Sequence, residues 1–280
     1  MYRIITHPGS AHKDDFMSVS ILLATLGSAE VFRREATSED LADPDTYVVD
    51  VGMEYDLGKH NFDHHQDSTF PCAFHLVMNY LGYHDTAMVV FGWYAQMSMM
   101  DVSGPYKTAE YLGVDTSVLF ASSSPIDGYI LSCFSKVTAL TKQDAFYGLM
   151  KEFGEDVIEM VGLKMRRLER LKKEAQIFPV KHLKVLVSKI ADKPKLSMEL
   201  YLRALDDAAV VMSITPSTRG AGWEMVRLGD NMVVDFRSVT SHPEIRFVHI
   251  SGSVAKTRNL LPLESVLELA SQAIAQPIHQ

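Results

Sequence analysis

The chain has two cysteines in 280 residues, Cys72 and Cys133, too few for a disulfide framework, so nothing points to an oxidising compartment. A long apolar run is missing as well. The best candidate, "AMVVFGWYAQMSMM" (Ala87 to Met100), is interrupted by Gln96 and Ser98 and falls short of the roughly 20 residues that a bilayer span needs. The start, "MYRIITHPG", lacks the basic-then-apolar pattern of a secretory leader. These absences lead us to expect a soluble cytoplasmic protein with no membrane contact. Positive charge is also scarce: 27 Lys and Arg against 35 Asp and Glu give a net charge of −8. Tight indiscriminate binding to nucleic acid is therefore disfavoured, because it depends on cations that neutralise phosphates. A phosphate substrate is not excluded, since carboxylates loaded with divalent cations present positive charge where a phosphate would sit. No internal repeat or low-complexity tract is visible.

What is present reads as α/β. "YRIIT" (Tyr2 to Thr6) is a short buried strand, "DFMSVSILLATLG" has helical spacing closed by Gly27, and "AEVFRRE" and "TYVVDVG" are further strands. A mostly parallel sheet follows from strand, turn and helix in that order. The pattern from Ala73 to about Met100 is helical, and Asp127 in "SPIDG" falls at a turn. "EDVIEMVGLKMRRLERLKKEAQIF" is a long amphipathic helix whose basic residues form a solvated face. Pro179 then breaks the helix. A second block begins, with strands "KVLVSKI" and "AAVVMSITP" and a closing helix "PLESVLELASQAI". The expected layout is thus an N-terminal α/β domain over 1–150, a linker helix over 151–178 and a smaller C-terminal α/β domain over 179–280.

In open parallel sheets ligands bind beyond the carboxyl ends of the strands, where His7 and Asp50 fall. "THPGSAHKDDFMS" crowds His7, His12, Asp14 and Asp15 into one strand-to-helix turn, "KHNFDHHQ" adds Asp63, His64 and His65, and "SPIDG" adds Asp127. Oxygen and imidazole donors without thiolates suit Mn²⁺, Mg²⁺, Co²⁺ or Zn²⁺, and a pair of such ions needs several carboxylates with one bridging. Taken singly, most of these residues have structural uses. Asp14 or Asp15 could cap the helix that follows, Asp50 could bond turn amides, and Asp127 before Gly128 is a common turn signal. The tripeptide at 63–65 is different, because an Asp and two adjacent histidines after an apolar residue have little structural use and much use as ligands.

In the second block His249, Ser251, Gly252, Lys256 and Arg258 form a compact polar group after a strand, with Arg237 a further candidate. Gly252 would let backbone approach a phosphate and the basic residues could pair with its charge, unless the group is simply a surface turn.

"HPGSAHKDD", the "VDVG" at Asp50, "KHNFDHHQ" and "SPIDG" follow the order and rough spacing of the motifs of the DHH phosphoesterase superfamily. More closely, the sequence resembles the melanocyte-proliferating-gene family of metal-dependent exonucleases. Trp223, "DFR" at Asp235 to Arg237 and "FVH" at Phe247 to His249 extend the resemblance into the second block. Ala11 and Asp15 stand where that family usually has Phe and Glu. The resemblance implies a DHH-type catalytic domain over 1–150, a substrate-binding domain over 179–280 and two divalent ions, Mn²⁺ first, with Mg²⁺, Co²⁺ or Zn²⁺ as alternatives. His7 and His12 would hold one ion, Asp14, His64 and Asp127 the other, and Asp50 would bridge. His65 would face the substrate and Asp63 would orient a histidine or a water. The implied activity is hydrolysis of phosphodiesters, as a 3′–5′ exonuclease-like nuclease on RNA or short oligonucleotides, with a homodimer left open. A small-molecule phosphoesterase or pyrophosphatase, and a metal-binding regulatory module without catalysis, are the alternatives.

Overall fold

The computed structural model describes residues 1–190, 195–205, 207–229 and 231–276. It is mixed α/β, and the chain divides into two compact units, Met1–Leu163 and Lys164–Gln280.

In the first unit the order is β1 (Tyr2–Thr6), α1 (Lys13–Leu26), β2 (Ala29–Arg33), α2 (Ser38–Ala42), β3 (Thr46–Val49), β4 (Tyr55–Asp56) and β5 (Asn61–Phe62). There follow α3 (Ala73–Tyr80), α4 (His84–Val90), α5 (Tyr94–Leu112), α6 (Thr116–Ala121), α7 (Pro125–Ser135), β6 (Ala139–Leu140) and the long α8 (Ala145–Glu174), inside which the division falls. The sheet runs β4-β5-β3-β1-β2-β6, with β5, β3, β1 and β2 parallel and the edge strands β4 and β6 antiparallel. Ile4, Ile5, Val48 and Val49 are fully buried, as expected of strands covered on both faces, which read as continuous apolar runs.

Helix α1 begins where Asp15 accepts a bond from the His12 amide at 2.9 Å, and it ends at Gly27, whose φ of +69° suits a residue without Cβ. Along α1, Val19, Ile21, Leu22 and Leu23 are wholly buried. Gly154 of α8 lies directly against α1, and a Cβ there would collide with the Ser20 carbonyl. The single helical stretch expected from Ala73 to Met100 is three helices instead, interrupted at Gly82, which has φ +74°, and again at Phe91 to Trp93. Among the described residues no helix is long and apolar enough to cross a membrane.

In the second unit the order after α8 is β7 (Gln176–Val180), β8 (Leu183–Val187), α9 (Lys195–Leu205), β9 (Val210–Pro216), β10 (Trp223–Arg227), a 3₁₀ turn (Phe236–Val239), β11 (Ile245–Val248), β12 (Val254–Thr257) and α10 (Leu263–Ala273). The sheet order is β11-β12-β10-β9-β8-β7, antiparallel except for the β8–β9 pair. Residues 176–178, read from sequence as the end of the long helix, belong with Pro179 and Val180 to a strand that pairs with β8. Met212, Ile214, Met225, Phe236 and Val266 centre the core of this unit.

Candidate metal centre

The chemistry-bearing side chains of the first unit gather at the carboxyl ends of β1, β3 and β5. His7 follows β1, Asp50 follows β3 and Asp63 to His65 follow β5, while His12 and Asp14 come from the start of α1. Asp50 takes a left-handed backbone, φ +56°, that few residues other than Gly, Asn and Asp adopt readily. Its two oxygens serve two neighbours: Oδ1 lies 3.1 Å from His64 Nε2 and Oδ2 lies 3.4 Å from His7 Nε2. Asp63 works differently. Its Oδ1 accepts from the amides of His64 (2.7 Å) and His65 (3.1 Å) and lies 2.7 Å from His65 Nδ1, while Oδ2 accepts from the Met53 amide at 2.6 Å. Asp63 therefore has no oxygen to spare and acts as a brace, the outer role that fixes imidazole orientation.

Three groups of side chains could each hold a cation: His7, His12 and Asp50; Asp50, His64 and His65; and His12, Asp14 and Asp101, with the ligand atoms of each group within 4.8 Å of one another. Asp50 and His12 each belong to two of them. Asp101 was not anticipated. It lies in α5, with Oδ2 3.2 Å from His64 Nε2, and no sequence motif marks it.

The structure does not bring Asp127 into this cluster. It sits in the first turn of α7, where Ser124 caps the helix and an acidic residue complements the helix dipole, and its carboxylate pairs with Lys13 Nζ at 2.6 Å. With 44% of its side chain exposed, it has a structural use without a ligand.

Charge in the cluster is badly balanced. Asp14 is 1% exposed and neither of its oxygens has a hydrogen-bond partner. Burial first, then the carboxylates of Asp50, Asp101 and Asp15, push its pKa well above the usual carboxylate range. The His7 imidazole is raised to about 10 by the carboxylates of Asp15 and Asp50. At His64 burial opposes protonation, but Asp101 and Asp50 outweigh it and again raise the pKa to about 10. For Asp50 the balance runs the other way, since burial is outweighed by His64 and His7 and the pKa falls to about 2. An anionic pocket that recruits protons onto its histidines is one that divalent cations would occupy in their place. The orphaned Asp14 oxygens and the thiolate-free donor set fit hard or borderline ions. Beside the cluster a cavity of about 360 Å³ is lined by His7, His12, Glu35, Asp50, Met53 and His65, among others.

In the second unit the polar group expected around a phosphate is only partly assembled. Arg237 forks onto Asp235, with Nε 2.9 Å from Oδ1 and the terminal nitrogen 2.6 Å from Oδ2. His249 Nδ1 lies 2.7 Å from Ser251 Oγ, which is 2.7 Å from Ser253 Oγ. Gly252 has φ +67°, and a Cβ there would collide with the Asp235 carboxylate, so it joins the two turns. Lys256 and Arg258 do not belong to this group. Lys256 Nζ pairs across the strands with Glu224 at 2.5 Å, and Arg258 Nε donates to the Pro243 carbonyl at 2.8 Å. Strand alternation and the register Glu224↔Lys256 account for this, because they set Lys256 opposite an acid.

Comparison with known proteins finds a family match over the first part of the chain. Residues 3–80 match the model of the MYG1 exonuclease family, described as an uncharacterised protein family, UPF0160. The resemblance to that family is shown over this segment. The human MYG1 exonuclease is 44% identical over 68 residues, which cover 24% of this chain and 18% of the relative. The match thus spans under a fifth of that relative's length. Among solved structures, an exopolyphosphatase-related protein from Bacteroides fragilis is 11% identical, with 97% of this chain and 91% of that one covered at a TM-score of 0.27. RecJ from Thermus thermophilus with Mg²⁺ is 14% identical, with 97% and 49% covered at a TM-score of 0.33. Scores this low carry no conclusion about the chain.

Proposed function

We propose that the chain is a divalent-metal-dependent phosphoesterase that hydrolyses phosphodiester bonds in the cytoplasm, acting as an exonuclease-like enzyme on RNA or short oligonucleotides. The observation that carries this reading is the buried Asp14, with two unpartnered oxygens, beside three overlapping ligand groups joined through Asp50 and His12. The match of residues 3–80 to the MYG1 exonuclease family supports the reaction class.

His7, His12 and Asp50 would hold one ion, and Asp14, Asp50, His64 and Asp101 the other, Mn²⁺ being the first choice. When bound, such a pair supplies an acidified water and offsets charge on the phosphoryl oxygens. The protein's own groups then do the following. Asp63 holds the His65 ring at the cavity wall, where an imidazole N–H can donate to a phosphoryl oxygen. Asp50 keeps His7 and His64 oriented through one oxygen each. The second unit would hold substrate through the Asp235, Arg237, His249 and Ser251 turn.

The test is a Mn²⁺ titration by calorimetry beside hydrolysis of a chromogenic phosphodiester, a dinucleotide and a long RNA. Two ions bound and metal-dependent hydrolysis support the proposal. Binding without hydrolysis of any substrate would return the chain to a non-catalytic module. The net charge of −8 favours a second reading, a phosphoesterase for small molecules, and hydrolysis of the dinucleotide but not of RNA would establish it.

A further inference from the structure

Two acids sit side by side at the start of α1, and their surroundings are opposite. Asp14 has no hydrogen-bond partner, whereas every oxygen of Asp15 is engaged. Asp15 Oδ1 accepts from the amides of His12 at 2.9 Å and Phe16 at 2.6 Å, and Oδ2 lies 3.3 Å from an Arg33 guanidinium nitrogen and 3.1 Å from His7 Nε2. Arg33 closes β2 and is 4% exposed. One terminal nitrogen donates to the carbonyls of Gly9 (3.1 Å) and Phe134 (3.0 Å), and the other donates to the Ser10 carbonyl (3.1 Å) as well as to Asp15. The guanidinium lies over Phe134, whose ring centroid is 4.5 Å from Cζ.

We infer that Arg33 is a positioning residue of the metal centre: it holds the turn at Gly9 and Ser10 that separates His7 from His12, and it occupies Asp15 so that Asp14 is the carboxylate left for a cation. The inference rests on the two-metal reading above. Two carboxylates one residue apart on a helix differ by about 100° in direction, so a small shift at the first turn would exchange their roles. A guanidinium that reaches the turn carbonyls and the carboxylate at once fixes that choice. A lysine offers a point charge and lacks the planar fork needed to reach all of them.

Mn²⁺ calorimetry and thermal unfolding on the full chain separate this role from a merely structural one, using R33M, R33K and the double variant R33M/D15N. R33M takes the guanidinium from the buried Asp15, which keeps only the His12 and Phe16 amides and His7, so both the melting temperature and Mn²⁺ affinity should fall, the affinity by at least about tenfold, as for other groups that orient metal ligands. Neutralising Asp15 in the double variant should restore most of the melting temperature and leave the affinity low, because the turn carbonyls still lack their donor. R33K should recover affinity only in part. If R33M does not fold, the double variant and R33K carry the comparison alone. Recovery of affinity together with stability in the double variant would overturn the inference, because Arg33 would then do no more than neutralise Asp15. Wild-type affinity in R33M, or in R33K, would overturn it too. Wild-type protein that binds no Mn²⁺ would overturn the two-metal reading itself, and the role of Arg33 with it.

Discussion

The two units place polar residues beyond their strand ends in opposite ways. In the first, the ends of β1, β3 and β5 and the start of α1 carry the buried acids Asp14, Asp50 and Asp63 beside histidines of which His64 is buried, with Asp14 wholly unpartnered. In the second, the 3₁₀ turn before β11 carries Asp235 and Arg237 and the turn after β11 carries His249 and Ser251, each with a partner and each exposed or nearly so. Burying unpaired charge costs several kcal/mol per ion, so the first arrangement persists only where a ligand compensates it or other packing outweighs it. The second is stable as it stands. On the proposed function, the unpaired buried charge is where the chemistry would take place and the satisfied exposed charge is where recognition would.

The largest effect that could break this contrast is at Asp50. Asp50→Asn removes the carboxylate shared between two ligand groups, and hydrolysis should fall on the order of 10³-fold or more, in single-turnover assays, with the far-ultraviolet circular dichroism unchanged. Near-normal turnover would remove Asp50 from the centre. Next in size is the comparison of Asp101 with Asp127. Asp101→Asn should weaken Mn²⁺ binding beyond the roughly 10–100-fold range of outer-shell changes, whereas Asp127→Asn should leave it within about twofold. The reverse order would reinstate Asp127 as a ligand.

A smaller effect comes from His75, which is 4% exposed, stacked on Tyr94 at 3.7 Å and held neutral by burial, with its pKa lowered to about 4. A depressed imidazole pKa means that the unfolded chain binds the proton more readily. The contribution is therefore intact above about pH 6.5 and is lost as pH falls toward 4. Between pH 6.5 and 5 the wild type should lose about 2 kcal/mol more stability than His75→Phe, read from denaturant melts. Equal losses would show that His75 does not carry this dependence. Smallest is Arg237→Ala in the second unit, which should cost about tenfold in kcat/KM, mostly through KM, with Mn²⁺ affinity unchanged. A change in metal affinity would mean that recognition and metal binding are not divided as drawn.

Much of the first unit's arrangement was legible because each signal there is local. A β-branched run, a turn and an apolar helix place His7, His12, Asp14 and Asp50 without knowledge of distant contacts. Asp101 was not legible, since it reaches the cluster from α5, far along the chain, and a lone acid inside a helix has no motif. The same holds for Arg33, whose value depends on carbonyls at Gly9, Ser10 and Phe134. Asp127 misled because an acid near a helix start reads the same whether it serves a cap, an ion pair or a cation. Lys256 misled because alternation along β12 set it opposite Glu224, a pairing invisible until the register is known.

The claim on which the rest depends is that the strand-end cluster of the first unit holds two divalent cations that share Asp50. Anomalous diffraction from crystals soaked in Mn²⁺ tests it most directly. Two manganese peaks in contact with Asp50, one also touched by His7 and His12 and the other by Asp14, His64 and Asp101, are the result expected. No peak there, or peaks that leave the Asp50 and Asp14 carboxylates untouched, would contradict the account.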